Sequence, residues 1–235
     1  MTVLSEHRQI ADDLVTCTRL LAHYKFIDHS GHVSARLPGT NLILIQPREL
    51  SRAALTADAL LVVDLAGTVV EGDGVPPAET AIHTGVYRAR PDVGAVAHGH
   101  SGDSVVYSVV DQPLLPVRHF FFEFPDGVPV HSDSTHIRSH EQGDAVAATL
   151  GAGNACLLRA HGSVVVASDI VELFMDCLDL EENARTLTTA LQLGCPTVIG
   201  AEEARDLAAS YARNGFRARK TWAHHQETGR LAGVL

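Results

Sequence analysis

Aromatic residues make up only 5% of this 235-residue chain, and it has two methionines and four cysteines. Cys17, Cys156, Cys177 and Cys195 lie far apart with no Cys-x-x-Cys pair, which excludes a zinc ribbon and a dithiol redox motif. They read as core thiols in a reducing compartment. Cations are also scarce: 18 Lys and Arg face 28 Asp and Glu, for a formal net charge of -10. The short Arg213 to Lys220 stretch is the one basic interruption, so a phosphate backbone is repelled and nucleic acid is not an expected partner. The first residues lack the basic start and apolar run of a secretory signal, and no later run is long enough to span a bilayer. The expectation is a cytoplasmic protein with no membrane partner. Without a repeat, low-complexity tract or linker, residues 1–235 read as a single domain.

The remaining composition, 46% hydrophobic and 20% charged, is that of a globular protein. Ile10, Leu14, Cys17 and Leu21 repeat at helical spacing behind Ser5 and predict a helix ending near Lys25. Residues 32–37 and 42–45, joined by Pro38-Gly39-Thr40-Asn41, predict a hairpin, and 60–65 with 68–70 add antiparallel strands. A helix follows from Glu79 to Arg90, bounded by Pro77 and Pro91, and then a strand over 93–98. Further helices are predicted from Ser101 or Asp103 to Val109, over 139–150, from the Asp169 cap to Leu193, and over 201–213. Strands are predicted at 128–130, 155–160 and 163–167, and the C-terminal end reads as a polar tail. These elements make an α/β fold with its sheet covered by helices.

Histidine is the residue in surplus, with 14 copies. In Ala95-Val-Ala-His-Gly-His100, strand alternation puts His98 and His100 on one side, and His161 ends another apolar run just before Gly162. Three neutral imidazoles with an open fourth position describe a catalytic metal site better than a closed structural one. Against this stands the ordinary reading of each histidine as a polar surface group. Glu79, in Pro76-Pro-Ala-Glu-Thr-Ala-Ile-His83, reads either as a first-turn glutamate favoured by the helix N-terminus or as a general base beside a metal pocket.

Taken in order, Ser30-Gly31-His32-Val33-Ser34, Pro77-Ala78-Glu79, Arg90-Pro91-Asp92, His98-Gly99-His100 and His161-Gly162 resemble the class II aldolase/adducin family over about Glu6 to Arg219. The resemblance implies a three-layer α/β/α fold on a largely antiparallel central sheet. It also implies homotetramers with sites between subunits. It makes His98, His100 and His161 the ligands of a divalent ion and Glu79 the catalytic acid/base. Zn2+ is the first expected occupant, with Mn2+, Fe2+ or Co2+ as others.

Two departures from the family pattern bear on the substrate. Where the sugar-phosphate aldolases hold phosphate with Gly-Asn, Thr-Gly and Ser-Ser pairs, this chain has Gly31-His32, Arg48-Glu49 and Pro77-Ala78. Proline offers no N–H and alanine no hydroxyl, so most of the phosphate cradle is missing. Arg48 reads either as a bidentate carboxylate grip, with His32 adding a charge-dependent donor, or as a solvated loop residue. Where the aldolases use a tyrosine from a neighbouring subunit, the resemblance places Phe120, next to His119. The run Phe120-Phe-Phe122 with Phe124 reads either as an apolar wall of the site or as a core or interface cluster. The substrate-contacting set is thus Gly31, His32, Arg48 and His119, and the expected substrate is a small carboxylate. The leading expectation is a metal-dependent decarboxylase of a hydroxylated or oxo acid. The alternatives are an aldolase or epimerase acting on a sugar phosphate or sugar acid, an iron-dependent oxidative enzyme, and a non-catalytic adducin-like module.

Overall fold

The computed structural model describes residues 2–125, 127–212 and 216–235. Helix α1 (Val3–Glu6) leads into α2 (Arg8–His23), followed by strands β1 (His32–Arg36), β2 (Leu42–Ile45), β3 (Leu61–Asp64) and β4 (Val69–Glu71). Helix α3 (Thr80–Ala89), strand β5 (Ala95–Gly99), the single turn α4 (Gly102–Val105) and strand β6 (Val130–His131) come next. The chain closes with α5 (His140–Leu150), β7 (Ala155–Leu158), β8 (Gly162–Ala167), α6 (Ile170–Leu193), α7 (Ala201–Ala212) and α8 (Phe216–Leu231). The strands form one sheet in the order β4-β3-β2-β1-β5-β8-β7-β6. Every neighbouring pair is antiparallel except β6 with β7. The fold is therefore α/β, a largely antiparallel sheet between two helical layers. Among the described residues no helix is long and apolar enough to cross a membrane.

Because strand side chains alternate, the sheet sorts its residues between two cores. Val33, Ala35, Leu44, Ala97 and Val165 join Leu14, Cys17, Leu173 and Leu180 on the side covered by α2 and α6. Ile43, Val96, Val164 and Val166 join Ile82, Val86, Val146 and Leu150 on the side covered by α3 and α5. The β1–β5 register sets His32 opposite His98, and the same alternation sends both, with Ser34, to the α3 side. Polar side chains thus occupy one end of a layer that is otherwise apolar.

Helix α3 lies close enough to its neighbour to need glycine. A Cβ added at Gly85 would sit 2.5 Å from the Gly143 carbonyl, and one at Gly143 would sit 2.1 Å from the Ala81 carbonyl. The two backbones therefore touch, and α5 is fixed independently by its capping box between Ser139 and Gln142.

Four elements differ from the sequence reading. Glu79 is the residue before α3, at the N-cap position with no side-chain capping bond, rather than in the first turn. The helix expected over 101–109 breaks into α4 and a tighter turn at Val106–Ser108. The strand placed at 128–130 forms at Val130–His131, because Leu157 and Arg159 donate to carbonyls in this segment. The C-terminal segment is a packed helix. Trp222 and His225 of α8 meet the Phe174 ring at 5.4 and 5.1 Å, and His225 Nδ1 bonds the Tyr24 hydroxyl at 2.8 Å. The predicted end of the preceding helix, Arg213, lies outside the described residues.

Replacing Gly143 by Ala should lower the unfolding free energy by about 2–3 kcal/mol, as overpacking at a rigid contact does. Urea denaturation checks this; an unchanged midpoint would show that α3 and α5 can separate freely.

Candidate metal centre and its cavity

Three imidazoles converge at the end of the β5–β8 pair. His98, fully buried, points from β5, and its Nδ1 lies 3.0 Å from the Ser163 carbonyl on β8. A carbonyl only accepts, so Nδ1 carries the proton and Nε2 presents its lone pair. His100 repeats the arrangement with Nδ1 3.0 Å from Asp28 Oδ1. His161 is presented by the β7–β8 corner, where Ala160 adopts a left-handed φ of 56° and the His161 N–H closes onto the Leu158 carbonyl. The next residue must be glycine: a Cβ at Gly162 would lie 2.1 Å from the Gly99 carbonyl.

The free ring nitrogens face one another. His98 Nε2 and His100 Nε2 are 3.0 Å apart, and Glu79 Oε2 lies 3.6 Å from His98 Nε2 and 3.5 Å from His161 Nε2. All four donor atoms fall within 4.8 Å of one another. Tetrahedral Zn2+ bonds of about 2.0–2.1 Å put neighbouring donors roughly 3.3 Å apart, so the spacings fit a divalent cation without rearrangement. The donor chemistry fits as well: nitrogen lone pairs oriented by partners on the far ring atoms, plus one carboxylate.

Glu79 is held from both sides. Its Oε1 accepts the Ile137 N–H at 2.9 Å, while Oε2 faces the imidazoles. Burial opposes its ionisation, yet the facing rings of His161 and His98 and the Ile137 N–H favour the carboxylate and hold it below the usual carboxylate range. A cation held between the Nε2 lone pairs would favour it in the same way. Burial also resists the charge on Asp28, yet Ser30 N–H, His100 and Gly31 N–H together lower its pKa to about 2. Asp28 thus stays ionised as the anchor of His100. For His98, burial is the main cause of a lowered pKa, which keeps the ring neutral as a ligand must be.

Beside the cluster opens a cavity of about 600 Å3 reached by Glu79, His100 and His161. His32, Arg48, Pro77 and Ala78 line it, as do Arg52 and Arg138. Arg48 is half-exposed and pairs with Glu49 at 2.9 Å. Arg52 is buried and donates to the carbonyls of Gly31, Arg48 and Leu50, with no ion pair to a carboxylate among the described residues. The Gly31 N–H is already committed to Asp28 at 2.9 Å. His119 is not brought to this cavity within one chain: its Nε2 bonds the Tyr211 hydroxyl at 2.8 Å. Phe120 is likewise elsewhere, under the Arg217 guanidinium in a second cavity of about 440 Å3. Phe121 and Phe124 are core residues.

The family model for the Class II Aldolase and Adducin N-terminal domain matches residues 12–188. The chain belongs to this family. Its enzymes are lyases that use a divalent metal, act on small molecules and are commonly oligomeric. A Caulobacter vibrioides protein named for the class 2 aldolases is 32% identical over 197 residues, 82% of this chain and 76% of its own length. The 3,4-dihydroxyphthalate decarboxylase of Arthrobacter keyseri is 27% identical over 190 residues, 74% of this chain and 76% of its own length. Among solved structures, L-fuculose 1-phosphate aldolase from Glaciozyma antarctica superposes with a TM-score of 0.83 at 23% identity, covering 97% of this chain and 92% of that one. This last likeness is one of fold.

Asp28, Arg52 and Arg138 escaped the sequence reading. Asp28 had a visible signal, since an Asp two residues before Ser30 and three before Gly31 is a turn-forming pattern. The two arginines had none, because only the folded loops bring them beside Arg48.

Changing His98, His100 or His161 to Ala should abolish stoichiometric metal binding, and Asp28→Asn should weaken it about 10- to 100-fold with the fold intact. Elemental analysis and competition with a chelating dye measure both; full occupancy in all three histidine variants would reassign the ligands.

Proposed function

We propose that this class II aldolase family member is a metal-dependent decarboxylase of a hydroxylated or oxo carboxylic acid. The observation that carries the reading is the cavity lining: beside the Glu79 and histidine cluster stand Pro77 and Ala78, and Arg48, Arg52 and Arg138 line the same cavity. Pro77 and Ala78 offer neither a hydroxyl nor, at proline, an N–H to a phosphate, whereas guanidinium matches a carboxylate in shape and charge. Kinship with a dihydroxyphthalate decarboxylase supports the same choice.

His98, His100 and His161 would hold the ion, which when bound supplies a Lewis acid for the oxygen next to the reacting carbon. The arginines orient the substrate by its carboxylate. The bond to the departing carboxylate carbon breaks, CO2 leaves, and its electron pair stays on the substrate carbon. A proton taken up from solvent and relayed through Glu79, whose Oε1 is pinned by Ile137 and whose Oε2 faces the cluster, then takes the place of the departed carboxyl group on that carbon. Zn2+ is the proposed occupant. A homotetramer would allow His119 and Phe120 of one subunit to approach the site of another.

The second reading is retro-aldol cleavage of a sugar phosphate, favoured by the same arginines, since guanidinium also binds phosphate. It uses the same cluster but begins with removal of a hydroxyl proton.

Metal-loaded protein incubated with hydroxyaromatic and β-oxo carboxylates should release CO2. Aldehyde formation from a sugar phosphate, with no CO2 from any acid, would favour the second reading. Glu79→Gln should retain metal and fold yet lose turnover by 10²-fold or more; wild-type rates would move the proton role to another group.

A further inference from the structure

Helix α3 carries more than Glu79 toward the sheet. His83 and Tyr87 follow it at successive four-residue steps, so all three share one face of the helix. On β1, His32 and Ser34 share one face in the same way. Where the two faces meet, the side chains form a continuous chain: Tyr87 hydroxyl to Ser34 Oγ at 2.9 Å, Ser34 Oγ to His83 Nδ1 at 2.6 Å, and His83 Nε2 to His32 Nδ1 at 2.6 Å. The closed end of this chain is in the core, with Tyr87 1% exposed and both Ser34 and His83 fully buried. Its open end is His32, whose ring lies 5.0 Å from that of His98 and lines the 600 Å3 cavity.

Hydrogen-bond accounting gives the chain a direction. Tyr87 has one hydroxyl proton, and Ser34 Oγ is the acceptor within reach among the described residues. Ser34, having accepted from Tyr87, must give its own proton to His83 Nδ1. His83 then carries its proton on Nε2 and donates it to His32 Nδ1. His32 is left with a proton on Nε2, the ring edge away from His83. The reversed chain would strand the Tyr87 proton in the core with no acceptor. Burial supports the neutral state of every member. It is the first cause of the raised Tyr87 pKa and of the lowered His83 pKa, which falls to about 3.

We propose that Tyr87, Ser34 and His83 are positioning residues that fix the tautomer of His32, making its Nε2–H a neutral hydrogen-bond donor to an anionic oxygen of the substrate. This deepens the reading of the site as one that takes a carboxylate, and rests on it for the ligand alone; the tautomer follows from the chain itself. A fixed, uncharged donor is preorganised. It also adds no second positive charge beside a bound cation.

Two-bond 1H–15N correlation spectra of 15N-histidine-labelled, zinc-loaded protein report which ring nitrogen carries each proton. In the wild type, His32 and His83 should both be protonated on Nε2 and bare on Nδ1. Tyr87→Phe and Ser34→Ala should each bring in the Nδ1–H form of His32. With zinc content unchanged, each should also weaken oxalate binding by about fivefold or more in calorimetric titration. Wild-type His32 protonated on Nδ1 would overturn the proposal without any variant, as would a His32 tautomer unaltered in both substitutions. Altered tautomers with unchanged oxalate affinity would remove the substrate-donor role. Failure of decarboxylation with the expected spectra would instead fall on the functional reading.

Discussion

Helix α3 brings Glu79, His83 and Tyr87 to the sheet, so its depth over β1 and β5 sets every distance at the site. That depth is decided at the other side of the helix, where Gly85 and Gly143 let two backbones touch. Had either position a side chain, α3 would have to move by more than the tolerance of a hydrogen bond. The polar cluster therefore inherits its precision from a contact made of carbonyl groups and hydrogen atoms, which is stiffer than one between flexible side chains.

The same region concentrates polar groups in a layer built for apolar packing, and the chain manages this by assigning each group a partner. Ser163 and Asp28 take the outer nitrogens of His98 and His100, and Ile137 takes one oxygen of Glu79. Asp28 also binds the Ser30 and Gly31 amides, so the loop that leads into β1 and the ring of His100 share one carboxylate. What these pairings leave free are the Nε2 lone pairs and one carboxylate oxygen. A cation is the natural complement to such a remainder, because several acceptors without donors repel one another.

Much of the fold was legible because its elements carry strong local signals: Pro77 and Pro91 around α3, Asp169 at the start of α6, and alternating apolar strands. His98 was legible for the same reason, and His100, one residue past the end of β5, followed from the same alternation carried on beyond the strand. His161 came from its place before Gly162, and the family resemblance joined it to Glu79. What stayed hidden depends on register between distant segments. Nothing local to Ser34 or His83 announces that β1 will lie under α3 with these residues in contact. Helix α8 stayed hidden because its half-buried packing stripe consists of Ala218, Trp222, His225 and Gly229, too mixed in polarity to stand out from a polar segment.

The outermost strands of the sheet are β4, with three residues, and β6, with two. Such short borders offer few unpaired amide and carbonyl groups to another chain, which disfavours edge-to-edge strand addition. Association of copies through side-chain surfaces of helices and loops is favoured instead, and the chemistry of such surfaces can be selective. Strand borders would have joined indiscriminately, through main-chain groups common to all proteins.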